Sequence, residues 1–598
     1  MKEKKEEYKD LCVIKKYDVK NFLSIILIVL FPIVLFLAME FLNGTRLNSV
    51  NTAFNGEKRL SLVIITILSI GTYGITGKIK TSMIVSAVIG MILAVINYLL
   101  VQIRGTSITP TDFYSTGMVY GMINSIKINL SAEVFISIGL IVLWIFMFSK
   151  IKVKDISKNK KIICRITSVS VCVAFFTLFL KTDVFSVNLT YNTKQFYEQR
   201  GIATSFLTTL KSMKLKEPDG YSKEAIKQYI EENKTKRILK KESPNIIVIM
   251  NESLSDLASI YSLNISEDNM PFIHSLKKNT VKANVYSSSL GGKTANCEWE
   301  FLTGNTSRFL PVGAVTYQLY IKQHVISIVD ILNSKGYYTT AFHPYKAEGY
   351  NRKVVYPLMG FKEYKFEDDL EELNYLRYDF VDDLSTYKNI IKLFEEKDKN
   401  QKIFNFTITM QNHLSYNDRS FINNVYLKDF NDEEHFDVNQ YLSLVKKSDE
   451  AFEYIVNYFK NYKEPTIIMM FGDHQPNLVE NFPEVFGESK IGYNQNNYTV
   501  PMVLWANYDI KEKDLGDISM NYLSTILFEN ADLEKNKYMD FLNGLYQKYP
   551  VITTNIYKDS KGKINNYENI PEELKLYEYM QYNNMFDDEK IQELYDIK

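Results

Sequence analysis

The sequence predicts two structural classes in one chain: an α-helical membrane domain of five transmembrane helices, followed by an extracytoplasmic α/β domain with a largely parallel central sheet. Three observations carry this reading. Apolar runs long enough to cross a bilayer crowd residues 22–181 and stop there. From Pro244 onward the pattern becomes short continuous apolar runs separated by helical segments, as expected of buried strands in a parallel sheet. Several of those runs end directly on a polar residue that can ligate a metal or move a proton.

The membrane elements come first along the chain. Spans are expected at about 22–42, 60–77, 82–103, 132–149 and 162–181, the second being short and carrying several Gly and Thr residues. The first run is longer than a signal-peptide core and has no A-x-A site after it, so it reads as a retained helix. The Lys-rich N-terminus, the Lys78-Ile79-Lys80 turn and the basic loop at 150–161 fall on one side of five spans. The positive-inside rule puts that side in the cytoplasm. The loops at 43–59 and 104–131, and everything after 182, then lie outside. Residues 182–243 read as a helical linker, with a helix over 191–213 near the membrane surface. Pro218-Asp219-Gly220 marks a turn, and Ser222 is the expected N-cap of KEAIKQYIEENK.

Composition excludes two function classes. The formal net charge is zero, so no basic excess exists to neutralise nucleic-acid phosphates. Of the four cysteines, Cys12, Cys164 and Cys172 belong to the membrane half and only Cys297 lies beyond it. No structural disulfide and no C-x-x-C metal or redox pair is expected outside.

In the outer part, Ile246–Met250 leads into Asn251-Glu252-Ser253, and Tyr338–Phe342 into His343. Ile403–Met410 leads into Gln411-Asn412-His413, and Thr466–Phe471 into Gly472-Asp473-His474, while Val500–Trp505 is a further strand. In open α/β sheets ligands bind beyond the carboxyl ends of the strands. Three of the six histidines in the chain occupy such positions. Any one of these residues alone reads as a turn or capping residue; Glu252, His343, His413, Asp473 and His474 together read as a site. The nucleophile candidate is Thr294, after Gly291-Gly292-Lys293, where a helix start offers free N–H groups and a positive dipole end to a phosphate. Taken alone it would be a plain N-cap. The segment is not a P-loop, because Ser287 holds the place of the upstream glycine.

Taken together, Asn251-Glu252-Ser253, Gly292-Lys293-Thr294, Asn412-His413 and Gly472-Asp473-His474 resemble the lipoteichoic acid synthase family, within the alkaline phosphatase/sulfatase superfamily. The resemblance covers the five-span half, the Arg104–Asp112 loop and the outer part to about residue 510, so a sulfatase-like core is expected over 244–510 and a further C-terminal part over 511–598. It implies that Glu252, Thr294, Asp473 and His474 bind one divalent metal. Mn2+ is the expected ion, with Mg2+ or Zn2+ as alternatives. It further implies that Thr294 is the catalytic nucleophile and that His413, His343, Arg352, Tyr350 and Lys293 bind substrate. Two positions depart from the family: Tyr345 stands where synthases carry an acidic residue, and Tyr350 where they carry Trp.

The implied activity is a phosphoglycerol transferase. It would move glycerol phosphate from phosphatidylglycerol through a Thr294 intermediate to a polyglycerol phosphate, glycolipid or surface-glycan acceptor. The departures leave open a sister enzyme that decorates another envelope glycan or lipid with glycerol phosphate or phosphoethanolamine. A non-catalytic membrane scaffold of the same fold is the reading from a different class. A sulfatase would need Pro and Arg two and four residues after its nucleophile, where this chain has Asn296 and Glu298.

Overall fold

The structure, a computed structural model, describes residues 2–44, 58–104, 106–114, 131–150, 157–182, 193–213, 215–233, 243–487 and 495–596. Most of the loops at 43–59 and 104–131 that were expected outside, the centre of the basic loop at 150–161, and stretches 183–192 and 234–242 of the linker lie outside the described residues, as do the side chains of the Lys-rich N-terminus. The chain divides into two compact units, the first built mainly from residues 1–214 and the second from residues 215–598.

The first unit contains α1 (Lys2–Leu42), α2 (Arg59–Thr76), α3 (Ile79–Arg104), α4 (Ala132–Ser149) and α5 (Lys158–Lys181). Each carries a stretch long and apolar enough to cross a membrane, five in all. Helix α1 starts twenty residues before its apolar part, because the Lys/Glu-rich N-terminus continues the helix without a breaker. Lys80 at the start of α3 donates to the Ser149 carbonyl at the end of α4 (3.2 Å), and Arg165 near the start of α5 donates to the Gly74 and Ile75 carbonyls at the end of α2 (3.0 and 2.9 Å). Those four helix ends therefore share one end of the bundle. The helix expected over 191–213 is two helices, α6 (Thr193–Arg200) and α7 (Ile202–Ser212). They break at Gly201, whose φ is +80°. A Cβ there would lie 2.5 Å from Ser61 Oγ and 2.7 Å from Glu40 Oε1. Glu40 is buried, ion-paired to Lys58 (3.1 Å), and accepts the Ile202 N–H (2.9 Å).

The second unit is an α/β domain around an eight-stranded sheet. In chain order the strands are β1 (Asn245–Asn251), β2 (Thr280–Tyr286), β3 (Tyr338–His343), β4 (Glu363–Phe366), β5 (Ile403–Ile408), β6 (Thr466–Gly472), β7 (Thr499–Ala506) and β8 (Lys513–Ser519). Across the sheet they run β8-β2-β7-β6-β1-β5-β3-β4. All neighbouring pairs are parallel except those that β7 makes with β2 and β6. The sheet is thus largely parallel, with one reversed strand. Central strands β1, β5 and β6 are buried along their whole length, which is why they read as unbroken apolar runs. Ser222 caps α8 (Lys223–Glu232) by accepting the Ala225 N–H at 3.1 Å. Tyr221 and Lys223 anchor this start to Asp587 (2.7 and 2.9 Å), so the C-terminal stretch completes the second unit.

Candidate active site

Parallel register brings the carboxyl ends of β1 and β6 side by side, with Asn251 opposite Gly472. The next residues, Glu252 after β1 and Asp473-His474 after β6, therefore emerge together. Gly472 is required there: a Cβ would meet the Leu254 carbonyl oxygen at 2.0 Å, so only glycine admits the turn that carries Glu252. The same turn donates its Ser253 N–H to Asp473 Oδ1 (2.7 Å), and the His474 N–H donates to the same oxygen (2.8 Å). Ser253 Oγ donates to Glu252 Oε1 (3.0 Å).

Each of Glu252, Asp473 and His474 offers one ligand atom within 4.8 Å of the others, and all three are buried. Two carboxylate oxygens no farther apart than this repel by at least about 3 kcal/mol at an effective dielectric of about 20. Burial, then the charge of Glu252, pushes the Asp473 carboxyl up to about 6. His474 Nδ1 lies 3.1 Å from the Gln475 carbonyl, which makes it the protonated nitrogen. Nε2 then turns its lone pair toward Asp473 Oδ2 at 3.2 Å and Glu252 Oε1 at 3.6 Å. Asp473 Oδ2 and His474 Nε2 are buried and have no hydrogen-bond partner. Three lone-pair donors aimed at one another fit a cation, and the mixed oxygen and imidazole set suits a borderline-hard divalent ion.

Thr294 joins this cluster from the opposite wall. It opens α9 (Thr294–Thr303), and its hydroxyl donates to Glu252 Oε2 at 3.1 Å. Thr294 is the first helical residue and not the cap; the N-cap is Lys293, held in the left-handed region at φ +67°. The Lys293 N–H donates to the Tyr350 hydroxyl (3.3 Å), which ties the substrate-binding candidates Lys293 and Tyr350 together beside the nucleophile candidate. The helix is seated from behind by the C-terminal part: Trp299 Nε1 donates to Met585 Sδ (3.3 Å), and Tyr577 donates to the Gly304 carbonyl (2.5 Å).

Arg352 and His343 are both buried and touch each other, with Arg352 Nη1 3.1 Å from His343 Nε2. Burial, then the neighbouring guanidinium, holds the His343 imidazole well below its ordinary range, so it is neutral. Its Nδ1 lies 3.3 Å from the Ile408 carbonyl. The sequence motifs give no hint of Glu298, which binds Arg352 through Nε (2.9 Å) and Nη2 (2.5 Å) and accepts the Tyr356 hydroxyl (3.0 Å). Glu298 is one helical turn beyond Thr294, so the pair locks Arg352 to the nucleophile helix. The i, i+4 spacing from Thr294 was the available signal; its partner 54 residues away was not visible. His413 stays outside the three-residue ligand group but feels the charges of His474 and Asp473. Burial lowers its pKa to about 4, and its Nδ1 faces the Leu414 carbonyl at 2.9 Å, leaving Nε2 with an available lone pair. Tyr345, at the position where the acidic residue was expected, is buried against Phe380.

Residues 244–532 match the Sulfatase family. A Rhizobium meliloti (strain 1021) protein named for cyclic beta-1,2-glucan modification is 28% identical over 404 residues, which is 65% of this chain and 62% of that relative's length. The chain therefore spans less than two thirds of that curated relative. Among solved structures, the Streptococcus pyogenes phosphoglycerol transferase GacH in complex with sn-glycerol-1-phosphate superposes with a TM-score of 0.53 at 23% identity, over 64% of this chain and 100% of that one. The integral membrane protein lipooligosaccharide phosphoethanolamine transferase A from Neisseria meningitidis gives 0.49 at 12% identity, over 86% of this chain and 95% of that one.

Proposed function

We propose that this chain, whose residues 244–532 form a sulfatase-family domain, is a metal-dependent phosphoglycerol transferase of the cell membrane with its α/β domain on the outer side. The observation that carries this is the Thr294 hydroxyl, 3.1 Å from Glu252 Oε2 at the edge of a buried set of unsatisfied ligand atoms. In this reading Glu252, Thr294, Asp473 and His474 hold Mn2+, which when bound supplies a Lewis acid that lowers the pKa of the threonine hydroxyl.

Thr294 Oγ attacks the phosphorus of phosphatidylglycerol. The bond from phosphorus to the diacylglycerol oxygen breaks, and glycerophosphoryl-Thr294 remains. The threonine proton goes to a base of the site, for which His413 offers its Nε2 lone pair, and returns to the departing diacylglycerol oxygen. A hydroxyl of the acceptor then attacks the same phosphorus, the bond from phosphorus to Thr294 Oγ breaks, and the acceptor's proton passes through the base of the site to Oγ and restores the threonine hydroxyl. Arg352 orients the phosphoryl oxygens by N–H donation, and His343, whose two nitrogens are taken by the Ile408 carbonyl and by Arg352, holds that guanidinium in place; because Glu298 cancels the charge of Arg352, that residue contributes direction more than net charge. Tyr350 and Lys293 border the glycerol side. A membrane anchor suits a lipid donor, because confinement to the bilayer raises the effective concentration of one for the other.

For the acceptor we favour a cell-envelope glycan over a growing polyglycerol phosphate, supported by the cyclic glucan in the name of the Rhizobium relative and by Tyr345 in place of an acidic residue. Phosphoethanolamine transfer by the same chemistry is the second reading. Incubation of the full chain with headgroup-labelled phosphatidylglycerol and Mn2+, followed by mass analysis of the Thr294 peptide, tests the proposal. A glycerophosphoryl adduct on Thr294 and released diacylglycerol are expected. Turnover that survives Thr294→Ala removes the mechanism, and an adduct formed only from phosphatidylethanolamine moves the assignment to the second reading.

A further inference from the structure

Counted over the ligand set, the Glu298–Arg352 pair and the donor phosphate, the site is left with one negative charge that these groups do not match. Glu252 and Asp473 bring two negative charges, which a divalent cation cancels. Arg352 is cancelled by Glu298 at 2.5 Å. The proposed donor adds a phosphodiester monoanion, and a buried charge without a partner is costly. Lys293 is only half-buried, where solvent screens its charge.

Arg377 is the remaining candidate. It lies on the short strand Tyr375–Arg377 and is 3% exposed. Its guanidinium donates to the carbonyls of Gln411 (3.3 Å), His413 and Ser415. It sits among the rings of Tyr378, Phe380 and Tyr416, with centroids 5.6, 5.4 and 5.3 Å away. Its Nε–H is buried and has no acceptor. Among the described residues no carboxylate pairs with it; Asp418 acts on it only from a distance. Apart from that distant carboxylate, dipoles and rings hold this charge in place behind the loop that carries His413.

We propose that Arg377 is the positioning residue that matches the substrate's phosphate monoanion: it fixes the His413 loop through three carbonyls and supplies the site's uncompensated positive potential. The inference rests on the transferase reading above. Arg377 touches no reacting atom. A purely structural role would need the hydrogen bonds and not the charge, which separates the two in experiment.

The test is titration of the full-length protein in detergent with sn-glycerol 1-phosphate in the presence of Mn2+, for wild type, Arg377→Gln and Arg377→Lys, with Mn2+ affinity and the unfolding midpoint measured alongside. Loss of a charged partner predicts that Arg377→Gln binds glycerol phosphate at least about tenfold more weakly. Its Mn2+ affinity should stay at the wild-type level, while its midpoint falls because three carbonyls lose their donor. Arg377→Lys, which keeps the charge, should recover to within about threefold of wild type. Wild-type affinity in Arg377→Gln overturns the inference, as does an Arg377→Lys protein that binds as poorly as Arg377→Gln. Should Arg377→Gln fail to fold, a loss of about tenfold or more in folded Arg377→Lys overturns it equally. No binding by wild type overturns the transferase reading and this inference with it, whereas wild-type binding with no effect of Arg377 leaves the transferase reading standing.

Discussion

Glu298→Ala isolates the coupling between the nucleophile helix and Arg352. The substitution strands a guanidinium that is 2% exposed and takes the acceptor from the Tyr356 hydroxyl, 3.0 Å away. Breaking a buried ion pair from one side costs about 3–5 kcal/mol. An unsatisfied buried donor costs about 1–3 kcal/mol, but one carboxylate serves both partners, so the two overlap and a total of about 4 kcal/mol is expected. With a urea m-value of about 3 kcal/mol/M, the midpoint of the α/β domain should fall by roughly 1.3 M. Trp299, fully buried and adjacent to Glu298, reports the transition by fluorescence in the detergent-solubilised chain. The double variant Glu298→Ala/Arg352→Met removes the stranded charge along with its partner and should recover at least half of the loss. An unchanged midpoint in the single variant, or strictly additive losses in the double, refutes the buried-pair account.

Other consequences are independent of that pair. Asp473→Asn and His474→Ala should each weaken Mn2+ binding by more than about tenfold while the sheet stays folded, as read by metal titration and circular dichroism; wild-type affinity in either would remove that residue from the ligand set. Gly201→Ala should destabilise the helical unit by at least about 1 kcal/mol, because the added Cβ meets Ser61 and Glu40 at a φ of +80°; thermal unfolding in detergent decides it. His274 lies 3.0 Å from Asp256 and 2.9 Å from Asp268, and the hydrogen bond to Asp256, then that to Asp268, raises its pKa to about 9. Its folded value exceeds the unfolded one of about 6.5, so its stabilisation is complete below that pH and fades as pH rises through about 9. His274→Asn should flatten the loss of melting temperature over that window, and an unaltered pH profile would contradict the assignment.

The helical spans were legible because crossing a bilayer takes an unbroken apolar run, and the central strands because burial on both faces leaves one. Glu252, His343, Asp473 and His474 were legible as a group because parallel strands deliver their carboxyl ends to one rim, so the residue after each run has a fixed destination. Edge strand β8 was not: it starts with the exposed Lys513 and Asp514, and no apolar run marks it. The reversal of β7 was equally hidden, since a strand's own residues do not encode its direction. The break at Gly201 escaped notice because only the packed Ser61 and Glu40 make the glycine obligatory. The Glu298–Arg352 pair depends on Tyr350 and Asn351 turning the chain back at φ of +52° and +63°, a local geometry with no compositional mark. Arg377 lies in a two-stranded ribbon and is held by the carbonyls of Gln411, His413 and Ser415, which leave no trace in the sequence around it.

Anomalous scattering from crystals of the protein grown with Mn2+ bears most directly on the shared cation site. The account predicts one strong peak within about 2.0–2.3 Å of oxygens of Glu252 and Asp473 and of His474 Nε2, with Thr294 Oγ on the same ion. A manganese peak held by other residues, or none at a saturating concentration, would contradict it.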